Sequence, residues 1–214
     1  MANLQVMPVI KDGCAIGIKN APSLIGALIL WVLTIWIPYI NVGTTIALCS
    51  IPVALSKGKV LSPTFIFGSH YRKQMGDFFI LEGLQTMAVY ASMIFLLFPA
   101  LVLSYSWSQA VYLLLDKELN PTEALSASNK LTYGHKWTLF GIDLLVGILA
   151  TLVIAIIGYI TLEMDTTLGV IVIIILVLLI APVYMGCHGV VYKQLTEEPV
   201  VEETIIEETV ETAE

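Results

Sequence analysis

Long apolar stretches alternate along this chain with short segments that collect its charges. Stretches close to the ~20 residues needed to cross a hydrocarbon core of ~30 Å occur at 22–40, 77–97, 138–160 and 168–190. Two shorter ones, 42–56 and 99–115, fit either short tilted spans or re-entrant pieces. Residues 3–19 mix Leu4, Val6, Met7, Val9, Ile10, Ile16 and Ile18 with Lys11, Asp12 and Lys19, the pattern of a short helix lying at a membrane surface. Pro22 then suits the first turn of the first span. Pro38, Asn41 and Gly43 separate that span from the next, and Pro52 predicts a bend in the second.

Asn120 before Pro121, with Glu123 at the third helical position, combines an N-cap, a proline at the first helical position and a capping-box carboxylate. The helix predicted from there to about Tyr133 carries Ala124, Leu125, Ala127, Ser128 and Leu131 on a weakly apolar side, as expected of a helix resting on the cytoplasmic face. Gly134 lets the chain turn, and Lys136 with Trp137 marks the interface where the fifth span begins.

The distribution of basic residues orients the chain. All ten, Lys11, Lys19, Lys57, Lys59, Arg72, Lys73, Lys117, Lys130, Lys136 and Lys193, fall in four segments that lie on one side if both short stretches cross. The facing connections hold Glu163 and Asp165 but no Lys or Arg. The expectation is an all-α, six-helix membrane bundle over residues 1–195, with short amphipathic helices at the cytoplasmic face. Both termini are cytoplasmic, in the inner (cytoplasmic) membrane of a prokaryote; dropping one short span breaks the partition. The apolar run from Leu24 is followed by further spans and no small-residue cleavage site, so it reads as an uncleaved first helix. Residues 196–214 form an acidic tail with eight glutamates and no base, expected to be disordered and suited to a basic protein partner.

Composition agrees: 57% hydrophobic and 13% charged residues exclude an ordinary soluble globule, and the partner they imply is the lipid bilayer. Cys14, Cys49 and Cys187 have no paired spacing, no histidine pair has metal-ligand spacing, and no phosphate loop, serine elbow or zinc-protease motif is present. The expectation is therefore no metal, no cofactor and no nameable catalytic nucleophile. The basic loops are too sparse for nucleic acid.

Three ionisable residues inside apolar stretches remain. Asp143 heads a stripe of Gly147, Thr151 and Ala155 at four-residue spacing, which predicts that it faces another helix rather than lipid. Glu82, Gln85, Thr86 and Tyr90 share one face of the third span, and Tyr184, His188 and Tyr192 one face of the sixth. Glu82, Asp143 and His188 are thereby expected in one layer near the inner leaflet. Such a layer serves either as interhelical polar glue or as a proton- or cation-binding cavity open to the cytoplasm.

The stretch "LLLDKELNPTEALSASNKLTYGHKWTLF", with "APVYMGCHGVVYKQL" near the end, resembles a broad group of uncharacterised prokaryotic multi-span proteins related to the membrane domain of some glycerophosphodiester phosphodiesterases. The matching positions are Asp116, Ala124, Leu125, Ser128, Gly134, Lys136 and Phe140, then Pro182, Tyr184 and Tyr192, over about half the chain. The resemblance implies a six-helix bundle with paired surface helices and transfers no activity; Asp143 is outside the matched pattern. The functional expectation is a non-enzymatic scaffold or accessory factor. The alternatives are a small transporter or channel component with a cytoplasm-facing polar site, and a membrane-embedded lipid enzyme. A cavity reaching the polar layer separates the first two.

Overall fold

The computed structural model describes residues 4–95 and 97–197, so the acidic tail lies outside the described residues except for Thr196 and Glu197. The elements are α1 (Val6–Thr34), α2 (Pro38–Cys49), α3 (Ile51–Ser56), a 3-10 turn (Pro63–Phe67), α4 (Ser69–Lys73), α5 (Met75–Phe95), α6 (Leu97–Ser106), α7 (Ala110–Lys117), α8 (Pro121–Leu131), α9 (Lys136–Met164) and α10 (Thr166–Glu197). All described elements are helical. Five helical stretches, Val6–Thr34, Pro38–Ser56, Leu97–Lys117, Lys136–Met164 and Thr166–Glu197, are long and apolar enough to cross a membrane, which marks a membrane protein.

The closest packing is between α1 and the C-terminal half of α10. A Cβ at Gly186 would collide with the Gly13 carbonyl oxygen, and one at Gly13 would lie 2.6 Å from the Cys187 Cα. Gly17 meets the Pro182 carbonyl in the same way. Gly13 and Gly17 are four residues apart on one face of α1, the small-xxx-small arrangement that lets two helix backbones touch. On another face of α10, Gly189 sets a Cβ position 3.0 Å from the Pro52 carbonyl oxygen of α3. Leu24, Ala27, Ile46, Ala47, Ile51 and Leu55 complete a buried seam between α1, α2 and α3.

This seam corrects one expectation. Residues 3–19 are not a separate surface helix: α1 is continuous from Val6 to Thr34 with Pro22 inside it. Packed contacts lie on both sides of the proline, Gly13 and Gly17 before it and Leu24 and Ala27 after, so the helix is held through the position where Pro22 removes a hydrogen bond. Other signals held. The chain breaks at Ser50 two residues before Pro52, and Gly134 turns at φ 83°; the break between the first two spans falls earlier than expected, at residues 35–37, so that Pro38 starts α2 and Asn41 and Gly43 lie inside it.

The α6–α7 unit is bent. Asp143 of α9 faces His188 of α10 at 3.3 Å, which fixes the register of that antiparallel pair. Trp137 lies one and a half to two turns below this level, about 9 Å, and Tyr192 about 6 Å below it on α10. The Phe98 ring at the start of α6 is 6.0 Å from the Trp137 ring, and Asp116 near the end of α7 accepts a 2.8 Å hydrogen bond from Tyr192. Both ends of Leu97–Lys117 are thus on the same side of the pair, although a straight helix of its 21 residues would be about 31 Å long. Trp107 to Gln109 interrupt it, and Ser108 and Gln109 reach the level of Asp143. The two halves form a shallow V with its apex towards α9 and α10.

If the α1–α10 backbone contact organises the bundle, Gly186→Val should destabilise it by about 1–3 kcal/mol or more through overpacking. Gly147→Ala, where nothing lies within 4 Å of the added methyl, should be neutral or slightly stabilising. Thermal unfolding in detergent compares the two; equal effects would mean that the close approach is not limiting.

Candidate functional site

The V exists because its interruption is chemically satisfied. Breaking a helix at Trp107–Gln109 frees backbone groups that an apolar environment penalises by several kcal/mol each. Gln85 of α5 donates to the Trp107 carbonyl at 2.8 Å, Ser128 of α8 donates to the Ser106 carbonyl at 2.9 Å, and the Gln109 N–H donates to the Ser128 hydroxyl at 3.2 Å. Thr132 Oγ1 lies 3.1 Å from the same Ser106 carbonyl. Buried Ser128 and Thr132 are the reason α8 docks here. Its start is capped as expected: Asn120 Oδ1 accepts from the Glu123 N–H at 3.0 Å, with Pro121 at the first helical position. The reciprocal bond from the Glu123 carboxylate is not among those of the described residues.

At the cytoplasm-assigned end, Asp116 joins three elements. Lys57, just past α3, pairs with one carboxylate oxygen, and Tyr192 donates to the other. Asp116 and Tyr192 were both among the positions carrying the resemblance, and here they contact each other. Their pairing holds the end of α7 against α10.

Above that tie lies the ionisable pair. His188 Nε2 is 3.3 Å from Asp143 Oδ1, with the side chains 16% and 28% exposed. The approach is close enough for an ion pair but off the line for a hydrogen bond, so Nε2 has no hydrogen-bond partner among the described residues. The Tyr184 ring stands 4.4 Å from the imidazole and the Tyr112 ring 6.5 Å, while Tyr105 adjoins Asp143.

Three hollows meet at this pair. A crevice of about 400 Å³ between α2–α3, the α6–α7 apex and α10 is lined in part by Thr45, Cys49, Ser108, Tyr112, Tyr184 and His188. A small cavity of about 10 Å³ lies among Tyr105, Ser108, Gln109, Asp143 and His188. A depression of about 370 Å³ runs along α9 past Asp143, Gly147 and Thr151. His188 borders the first two and Asp143 the last two, so the pair stands as a partition between them.

The structure brings together Asp143, His188 and Tyr184 as the sequence implied, and sets the rest apart. Glu82 is half-buried beside Cys49, across the crevice from His188, with no hydrogen bond or salt bridge to Asp143 or His188 among the described residues. Gln85 serves the helix break, and Thr86 and Tyr90 are exposed. Asp143 does face α10, but Gly147, Thr151 and Ala155 are exposed rather than packed. Tyr105, Ser108, Gln109 and Tyr112 were missed; their signal was the polar cluster "SYSWSQ" interrupting an apolar run. Among the described residues no His, Cys, Asp and Glu grouping could hold a metal ion. No family model, curated relative or solved structure matches the chain.

Two carboxylates can be compared directly. Asp116→Ala, which strands the buried end of Tyr192, should cost about 1–3 kcal/mol, whereas Asp143→Asn should be nearly silent in the same unfolding assay because the amide keeps an acceptor and removes a partly buried charge. A large loss in Asp143→Asn would make the pair a stability element.

Proposed function

We propose that this chain is a small transporter or channel component of the cytoplasmic membrane, in which the crevice leads a small cation from the cytoplasmic side to the Asp143–His188 pair. One observation carries the reading: a cavity of about 400 Å³, walled by two interrupted helices, ends on an intramembrane ionisable pair. Interrupted helices are stable inside a bilayer only where protein or a cavity surrounds them, and transport sites are commonly built that way. The crevice lining contains no Lys or Arg, presents the faces of Tyr112 and Tyr184, and has Glu82 just beyond Cys49. That chemistry favours a cation over an anion.

The proposed topology has four crossings, α1, α2–α3, α9 and α10, with α5 to α7 as a re-entrant hairpin and α8 beneath it on the cytoplasmic side. Removing the 77–97 and 99–115 crossings together keeps all ten basic residues and both termini on one side, so the charge distribution supports this arrangement as well as six spans. The scaffold reading draws on the hydrogen bonds that Gln85 and Ser128 make to the α6–α7 break, which a rigid structural protein would also need.

Cysteine labelling from outside separates the topologies. Labelling should occur at positions 36 and 165 and fail at 70, 98 and 126; labelling at 98 would restore the six-span arrangement. For function, purified protein in vesicles should pass small monovalent or organic cations, and Asp143→Asn should reduce the flux at least ~10-fold with folding intact. Absence of cation and proton flux in wild-type vesicles would overturn the transport reading in favour of a scaffold.

A further inference from the structure

The small cavity between α6–α7, α9 and α10 carries more than its size suggests. Gln109 is 1% exposed, lines this cavity, and leaves its Oε1 without a hydrogen-bond partner. The orientation of its amide is fixed by its neighbour. Ser108 Oγ donates to the Tyr105 carbonyl at 3.0 Å, so it must accept from the group facing it, and that group is Gln109 Nε2 at 3.1 Å. Oε1 is therefore an acceptor with no donor. His188 Nε2, lining the same space, is the other buried polar atom of the region without a hydrogen bond. Two stranded polar atoms facing a cavity of about 10 Å³, the size of one water molecule, together with the Asp143 carboxylate, define a complete coordination shell for one small hydrogen-bonding molecule.

We propose that Gln109, Asp143 and His188 enclose one water that links the Gln109 amide to the Asp143–His188 pair, and that Gln109 is thereby the positioning residue for a proton-binding site centred on His188. The hydrogen bonds balance. The water donates one hydrogen to Gln109 Oε1 and the other to Asp143, and accepts from the His188 Nε2–H. Because His188 also borders the larger crevice, its charge is presented there whenever the site holds a proton.

Every titratable group facing His188 belongs to this account. Asp143 comes from α9, Tyr105 from α6 and Tyr112 from α7, Cys49 of α2 borders the same crevice with Glu82 of α5 beyond it, and Tyr184 lies on its own helix. From α1 the nearest is Cys14, beside Cys187, and the α3 end offers Lys57, already paired with Asp116. Asp143 is the one carboxylate in contact with the imidazole among the described residues.

The site concerns the same pair as the transport reading but does not depend on transport, since it is tested on the ligand-free protein. Full-length protein in nanodiscs, with ring-15N histidine, reports the protonation of His188; His70 and His135 are separated by comparison with His188→Asn. Gln109→Met keeps the volume and removes the acceptor, so the water loses its anchor and the charged imidazolium its solvation. The His188 midpoint should fall by about one pH unit. Gln109→Glu, which puts a negative acceptor at the same place, should move it upward by a similar amount. His70 and His135 should not move in either variant, which excludes a general change of fold. Midpoints unchanged in both variants overturn the proposal.

Discussion

The backbone contact between α1 and α10 is the constraint from which the rest of this architecture follows. With Gly13 and Gly17 against Gly186 and Cys187, the two helices touch without intervening side chains, and lipid supplies no hydrophobic drive of its own to hold them. Successive residues turn by about 100° around a helix, so His188 points nearly opposite Gly186. Clamping the glycine face to α1 therefore aims His188 away from it, towards α7 and α9. Gly189, turned to a third direction, admits α3 and fixes the far wall of the crevice. One buried third of α10 thus positions both the pair and the cavity beside it, while its N-terminal two-thirds is mostly exposed and apolar.

The second constraint is the treatment of the α6–α7 break. A helix interrupted at this depth survives only if each freed donor and acceptor is matched, and here the partners come from two other elements: Gln85 from α5 and Ser128 from α8. The capped α8 is consequently more than a surface ornament of the cytoplasmic side. It returns along α7 so that Ser128 and Thr132 arrive at the break, and Gly134 then redirects the chain into α9. Stability of the apex and geometry of the site share the same residues.

What the sequence disclosed follows from which signals are local. The helix start at Asn120–Pro121, the bend near Pro52 and the Gly134 turn depend on a few neighbouring residues and are found where they were read, whereas the break near Pro38 falls a few residues earlier. Asp143 and His188 were placed at one level by counting along antiparallel spans, and they meet at 3.3 Å. The bend at Trp107–Gln109 was not legible, because length and hydropathy are the same for a bent unit and a straight one; it shows in the Phe98–Trp137 and Asp116–Tyr192 approaches at its two ends. The glycines of α1 were hidden because residues 3–19 look amphipathic by composition, whereas their packing depends on a partner about 170 residues away. The stripe below Asp143 gave the correct facing helix on grounds that the exposed Gly147 and Thr151 do not support.

The position of the pair between hollows constrains any transport it performs. Asp143 offers its carboxylate both to His188 and to whatever occupies the depression along α9, while His188 faces the crevice on its other side. A protonated His188 neutralises Asp143 and presents positive charge to the crevice, which disfavours a cation there; a neutral His188 leaves the carboxylate uncompensated and attracts one. Proton and cation then compete for the same negative charge rather than reinforcing each other. In the proposed reading this geometry couples cation entry to proton loss, an exchange rather than a co-transport, and it does so without any helix having to move for the coupling to exist.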